Sequence, residues 1–416
     1  MSDVFNKVNL LSADMKTATS GGPRPLYRVL DSRNGEALLE GRRVVMAACN
    51  DYLGLSGDPR VTQAAAQAAL RFGTSCSASR LVGGTMPLHE DLEGRLAAFL
   101  GVEAAMVTTT GFQANLALAP LFGPGDVVFS DRANHASLVD AVQLGAAEKR
   151  FYRHSDMARL ERQLSAADPA AGKVIVTDGV FSMEGDVCRL PDLHALAVAH
   201  HARLIVDGAH DIGLLGAGGR GVSEHFALPG AVDLYTGTFS KCFGSVGGVV
   251  AGSAEVIHFL RHTSRAMLFT AAMPPSAVAA ALAALDIIET EPERRVRVFE
   301  VARQVNEGLR ALGFDTGEST TPIIPVRMGQ TEPALRLWQA VLDEGVFTSG
   351  VGFPAVPEGQ ALIRLSLQAV HTDAHVARIL DAFAAAGRRL GYTCAPSPAP
   401  VGSQRADADP ILAAAR

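Results

Sequence analysis

Aromatic side chains are scarce in this sequence, 6% of 416 residues, with a single Trp among them. Positive charge is short too: 37 Lys and Arg against 43 Asp and Glu leave a formal net charge of −6 and a pI near 6.1. No broad basic surface follows, so nucleic acid is not an expected partner. The five cysteines, at 49, 76, 188, 242 and 394, are odd in number and form no CxxC pair. That argues against a disulfide framework or a zinc site and for a reducing, cytoplasmic setting. Long apolar runs are missing as well. The most apolar long stretch, 266–288, is interrupted by Pro274 and Pro275, and residues 1–22 carry no apolar core of signal-peptide type. Neither a membrane span nor a secretory leader is expected.

What remains is a chain that is 48% hydrophobic and rich in Ala and Gly. At roughly 150 residues per domain its length fits two or three domains. The first 45 residues are polar and poorly periodic, punctuated as turns by Gly21-Gly22-Pro23 and Asn34-Gly35. From Val61 onward, apolar strands alternate with helical patterns. Strands are expected at 104–109, 127–129, 173–177, 203–206, 234–238 and 247–250, and helices at 61–72, 112–122, 134–144 and 193–201. Continuous apolar strands between helices predict an α/β fold whose mostly parallel sheet is covered on both faces. A helical stretch with few breakers, 276–312, leads to a smaller α+β unit. The division is an N-terminal segment 1–60, a large domain 61–295, a small C-terminal domain 296–393 and a disordered Pro- and Ala-rich tail 394–416.

In α/β sheets, ligands bind at the carboxyl ends of strands, and four places there carry chemistry. Gly111 opens a helix after a strand, where a sharp turn and free backbone N–H groups suit a phosphate; alone this is a weak signal. Asp207 ends an apolar strand, where an acid needs a partner, and His210 follows three residues later; an N-capping Asp with a surface His reads the same way. Lys241 follows another apolar strand among small residues, with hydroxyls at Thr238 and Ser240. Desolvation there favours its neutral, nucleophilic form, although a solvated surface lysine is the alternative. His135 follows a third strand and could stack on a flat ligand. Gly111, His135, Asp207 with His210, and Lys241 occur in order on successive strand ends. A phosphate cup, a stacking His, an acid for a pyridine nitrogen and a Schiff-base lysine together describe a pyridoxal phosphate site.

Several motifs then make the chain identifiable. They are Cys49-Asn50-Asp51-Tyr52-Leu53-Gly54-Leu55, Ser79-Arg80-Leu81-Val82-Gly83-Gly84-Thr85 with His89, Thr110 to Asn115, His135-Ala136-Ser137, Val180 to Asp186, Asp207 with His210, Thr238 to Lys241, and Ile363-Arg364-Leu365-Ser366. From about Arg43 to Leu390 the chain resembles the α-oxoamine synthase family of fold-type I pyridoxal phosphate enzymes. GTFSKCFGSVGG and LFTAAMPPS are most similar to its serine palmitoyltransferase branch.

The resemblance implies a large domain with a seven-stranded, mostly parallel sheet and a smaller α+β C-terminal domain. It implies that Lys241 holds the cofactor and later moves the α-proton, that Asp207 pairs with the ring nitrogen, that His210 bonds the ring's phenolic oxygen, and that His135 stacks on the ring. Gly111 and Phe112 amides with the Thr238 and Ser240 hydroxyls would hold the phosphate, joined by Thr270 of a second subunit in a homodimer. Ser182 and Asn50 would line the site, and Arg364 would bind the substrate carboxylate. The implied reaction is a decarboxylative Claisen condensation of a small L-amino acid with an acyl thioester, carried by coenzyme A or a carrier protein. A lyase or aldolase of the same fold would use the same lysine and aspartate. Two departures from the family pattern stand out. Gly208 replaces an acid and Asp211 a small residue after the histidine, while Ser75-Cys76-Ser77-Ala78 replaces a Gly-rich stretch.

Overall fold

The computed structural model describes residues 5–6, 28–353 and 355–392. The turn expected at 21–23 and the tail 394–416 lie outside the described residues. The large sheet has seven strands, in the order Ala104–Thr108, Gly248–Gly252, Leu234–Thr238, Arg203–Asp207, Lys173–Asp178, Val127–Asp131 and Glu148–Tyr152. All pairs are parallel except the two made by Gly248–Gly252, which runs against both neighbours. Alternate residues feed different cores. Ala105, Val107, Phe129, Ile175, Leu204 and Val206 join one buried cluster, while Met106, Val128, Val176 and Ile205 join another across the sheet. A strand buried on both faces has no polar side, so these strands read as continuous apolar runs.

A third core belongs to the C-terminal part. There the strands Ile323–Gly329, Ala361–Ser366 and Ser349–Val351 pair antiparallel, the helix Thr331–Asp343 packs on them, and the helix Asp373–Leu390 packs against that helix. The N-terminal segment joins this core. Within the poorly periodic first 45 residues and just beyond, Asp31–Arg33, Glu36–Leu39 and Arg42–Met46 form an antiparallel meander that pairs parallel with Val346–Phe347. Its turns at Asn34-Gly35 and Glu40-Gly41 have positive φ at both residues, the geometry that tight hairpins need. Only Ala37, Leu39, Val44, Val45 and Met46 face the core, too few to give a clear alternation.

The expected single helical stretch 276–312 is two helices, Pro275–Thr290 and Glu293–Ala311, separated at Glu291-Pro292. Proline at 292 has no N–H to donate and restricts the residue before it, so the first helix stops there. The second links the cores: Val298 and Phe299 pack in the first, and Val301, Ala302, Val305 and Leu309 in the C-terminal one. The helix expected at 112–122 is a shorter one, Gly111–Leu116, followed by a 3-10 turn, Ala119–Leu121.

Candidate active site

Three neighbouring strands deliver polar ends to one place. Asp178 and Asp207 are register partners, and Asp207 sits beside Thr236 of the next strand. That strand, Leu234–Thr238, leads straight into Ser240 and Lys241. A cavity of about 280 Å³ opens here, lined by Gly111, Phe112, His135, Asp207, His210, Thr238, Ser240 and Lys241. Eight of the residues singled out from sequence therefore face one space.

Asp207 is buried, and its oxygens are taken up by local donors. Asn115 Nδ2 donates to Oδ2 at 2.6 Å and the Ala209 amide to Oδ1 at 2.9 Å. Asn115 is itself fixed, since the Thr236 hydroxyl donates to its Oδ1 at 2.6 Å and its Nδ2 reaches Ser137 Oγ at 2.8 Å. Burial lowers the Lys241 pKa to about 8, although Asp207 works the other way. A large share of its amine is thus neutral near pH 8, the form that attacks a carbonyl. Burial also drives the His210 and His135 rings toward their neutral forms. Asp178, buried beside Asp207, has its pKa pushed well up, and it accepts the His135 amide at 3.2 Å on each oxygen.

One end of the cavity is shaped by Gly111. A Cβ at that position would stand 2.5 Å from Thr238 Cβ, so only glycine lets the turn close onto the strand end. Thr238 and Ser240 bring their hydroxyls to 2.8 Å of each other beside it. His135 caps the helix Ala136–Leu144, with its Nδ1 2.7 Å from Ser137 Oγ and its ring edge-on to Phe112. A buried carboxylate, a depressed lysine, a histidine face and a pair of hydroxyls are groups of the kind that could hold pyridoxal phosphate.

A second group lies alongside. Arg364, on the strand Ala361–Ser366, donates from Nε to the Ser182 carbonyl at 2.5 Å and from Nη1 to Asn50 Oδ1 at 3.0 Å and Ser366 Oγ at 2.6 Å. Tyr52 joins the two groups: its hydroxyl lies 2.7 Å from His210 Nδ1 and donates to Asn50 Oδ1 at 3.3 Å. Asn50, Ser182 and Arg364 thus come together, next to the cavity rather than in its wall. Thr270 does not reach the cavity within the chain; its hydroxyl accepts from Gln113 Nε2 at 3.1 Å. Asn115, Thr236, Tyr52, Asp178 and Ser366 carry the site as much as the expected residues do, and no role was read for them from sequence. For Asp178 the signal was present, an acid ending an apolar strand as Asp207 does.

Residues 43–383 match the family described as aminotransferase class I and II. The chain is 44% identical to an 8-amino-7-oxononanoate synthase of Symbiobacterium thermophilum over 88% of its own length and 94% of the relative's. It is 40% identical to a serine palmitoyltransferase of Sphingobacterium spiritivorum, over 85% and 89%. A serine palmitoyltransferase variant from S. paucimobilis, solved with a bound PLP–myriocin aldimine, superposes with a TM-score of 0.91 at 36% identity, covering 94% of this chain and all of the other.

Proposed function

The chain belongs to the aminotransferase class I and II family, and within it to the α-oxoamine synthases, and from that membership we propose how its own residues divide the work. The activity is a pyridoxal phosphate-dependent decarboxylative condensation of an amino acid with an acyl thioester. It yields an α-amino ketone, carbon dioxide and a free thiol. The observation that carries the assignment of roles is the meeting of Lys241 and Asp207 on adjacent strand ends in one buried cavity, with Arg364 beside it.

Lys241 would hold pyridoxal phosphate until the amino acid's amine displaces it, and the bound cofactor would then supply the electron sink for negative charge at the α-carbon. Asp207, held by Asn115 and the Ala209 amide, keeps a proton on the ring nitrogen. His210, set by the Tyr52 hydroxyl, bonds the phenolic oxygen. The Gly111 and Phe112 amides and the Thr238 and Ser240 hydroxyls hold the phosphate, and His135 covers the ring face. Lys241 Nζ moves the α-proton. Arg364, its Nε and Nη1 hydrogens held by Ser182, Asn50 and Ser366, takes the substrate carboxylate through its charge and its remaining Nη2 hydrogens. The amino acid is a small one: serine, alanine or glycine. The acyl group arrives on coenzyme A or a carrier protein.

We further propose a homodimer with shared sites, in which Thr270 contacts the phosphate bound by the partner subunit. Leu81, Val82 and Phe269 are exposed, and their segments are tied together by the Ala272 amide donating to the Ala78 carbonyl. They give Thr270 an apolar surround of the kind that associates. Among the described residues no helix is long and apolar enough to cross a membrane. Free thiols at Cys49, Cys76, Cys188 and Cys242 support a cytoplasmic setting.

The deciding experiment is α-proton exchange in deuterated water, with each small amino acid offered to cofactor-loaded protein. Exchange with one of serine, alanine or glycine, abolished by Lys241→Ala, is the expected result. No exchange with any of them refutes the substrate assignment.

A further inference from the structure

His154 lies outside the cavity and has no part in the roles above. It follows the edge strand Glu148–Tyr152, and both ring nitrogens face carboxylates: Nδ1 is 3.3 Å from Asp131 Oδ1 and Nε2 is 2.9 Å from Asp186 Oδ2. A neutral imidazole has only one N–H, so two carboxylate partners require the doubly protonated ring. Burial opposes that charge, yet hydrogen bonds to Asp131 and Asp186 outweigh it and raise the His154 pKa to about 10. Asp131 is anchored independently, accepting the Ala133 amide at 2.8 Å and the Ser155 amide at 2.9 Å.

Asp186 belongs to the turn between Val180 and Val187, which are bridged to each other. The imidazole also packs edge-on against Phe181, with ring centroids 4.3 Å apart. From the other side the turn is gripped by the C-terminal part. Thr321 Oγ1 donates to the Gly185 carbonyl at 2.8 Å, and a Cβ on Gly185, whose φ is +71°, would meet the Ile323 carbonyl at 2.1 Å. At the tip, the Ser182 carbonyl takes the Arg364 Nε hydrogen.

We propose that His154 is a positioning residue for amino-acid recognition: the imidazolium clamped between Asp131 and Asp186 fixes the 181–186 turn, and that turn sets Arg364 through the Ser182 carbonyl. The chain of contacts runs from an edge strand of the large sheet, through the turn, to the guanidinium on the small sheet. A loosened turn would leave Arg364 only Asn50 and Ser366 to set its plane. The inference rests on the reading of Arg364 as the carboxylate anchor.

The test compares cofactor-loaded enzyme with His154→Gln, and with Asp186→Asn as a second, near-isosteric cut of the clamp. Amide hydrogen exchange across 181–186 is expected to quicken in both variants; unchanged exchange overturns the clamp. Binding of L-serine and L-alanine is then compared with ethanolamine and ethylamine, the same molecules without the carboxylate. The affinity advantage given by the carboxylate is expected to fall about tenfold, with amine binding unaltered and KM raised more than kcat is lowered. Faster exchange with an undiminished carboxylate advantage overturns the link to Arg364. Should wild-type enzyme bind neither amino acid, the reading of the anchor fails, while the amide exchange still decides the clamp.

Discussion

Asp211 is a carboxyl walled in by glycines. Built Cβ atoms on Gly179, Gly208 and Gly221 would lie 2.4, 2.6 and 3.0 Å from its oxygens. Its Oδ2 accepts the Val222 amide at 3.0 Å, while Oδ1 is buried without a partner. The two departures from the family pattern at 208 and 211 are thus linked: the acid at 211, together with the Ile212 side chain at the same 2.6 Å, fills the room that a side chain at 208 would need. Gly208→Ala is expected to destabilise the protein by about 1–3 kcal/mol through overpacking, measured by urea denaturation. The loss should be smaller in an Asp211→Ser background; strictly additive losses would show the positions to be independent. Burial raises the Asp211 pKa to about 7 from an ordinary 3.8. The folded state therefore holds this proton more tightly than the unfolded chain does. Its contribution to stability is greatest below 3.8 and is lost as pH rises toward 7. Asp211→Asn should gain melting temperature relative to wild type between pH 5 and pH 8. A constant difference across that range would contradict the assignment. Residues such as Asp207 and Lys241 are legible in the sequence because a charge closing an apolar run is costly and stands out. Asn115 and Tyr52 are silent by the same measure: an amide in a short helix and an aromatic in a loop show no conflict until the fold brings partners to them.

Whether a secondary-structure element was visible in advance depended on its surroundings. Arg203–Asp207 is buried along its length after Arg203 and reads as an apolar run with polar ends. Glu148–Tyr152 was overlooked because it is an edge strand of sequence EKRFY, and its charges leave no run to find. The helix Pro87–Leu100 was overlooked too, since its buried face includes His89 and Glu93. Glu93 pairs with Arg80 and Arg261 at 2.8 and 2.7 Å, a pattern that polarity alone reads as solvent-facing. Close approach of elements is also what the cofactor cup requires. Gly111→Ala should force its short helix away from the end of Leu234–Thr238 and weaken pyridoxal phosphate binding about tenfold or more, a strain of order 1–3 kcal/mol. Titration of cofactor-free protein by absorbance checks this, and unaltered affinity would place the phosphate elsewhere.

At the level of the whole molecule, the placement of Thr270 makes its own demand. Its hydroxyl is turned to Gln113 rather than to the cavity, so in the proposed dimer each site draws Lys241 from one subunit and Thr270 from the other. Lys241→Ala and Thr270→Ala proteins, inactive or weak alone, should regain activity when unfolded and refolded together, because a mixed dimer contains one site with both native residues. Absence of any recovery, or full activity in a monomer, would rule out sharing.

The pairing of Arg42–Met46 with Val346–Phe347 spans about 300 residues, and it bears on how the chain emerges from the ribosome. These early strands must wait, unpartnered on one edge, until Val346 and Phe347 have been made. The Ala104–Thr108 strand likewise waits for Gly248–Gly252. Contacts so distant in sequence form slowly, and exposed strand edges are where aggregation starts. For this protein, then, the burden on chaperones falls late in synthesis. A stalled or truncated chain ending before Val346 would carry a ready-made sticky edge at its beginning, however well its cofactor domain had already folded.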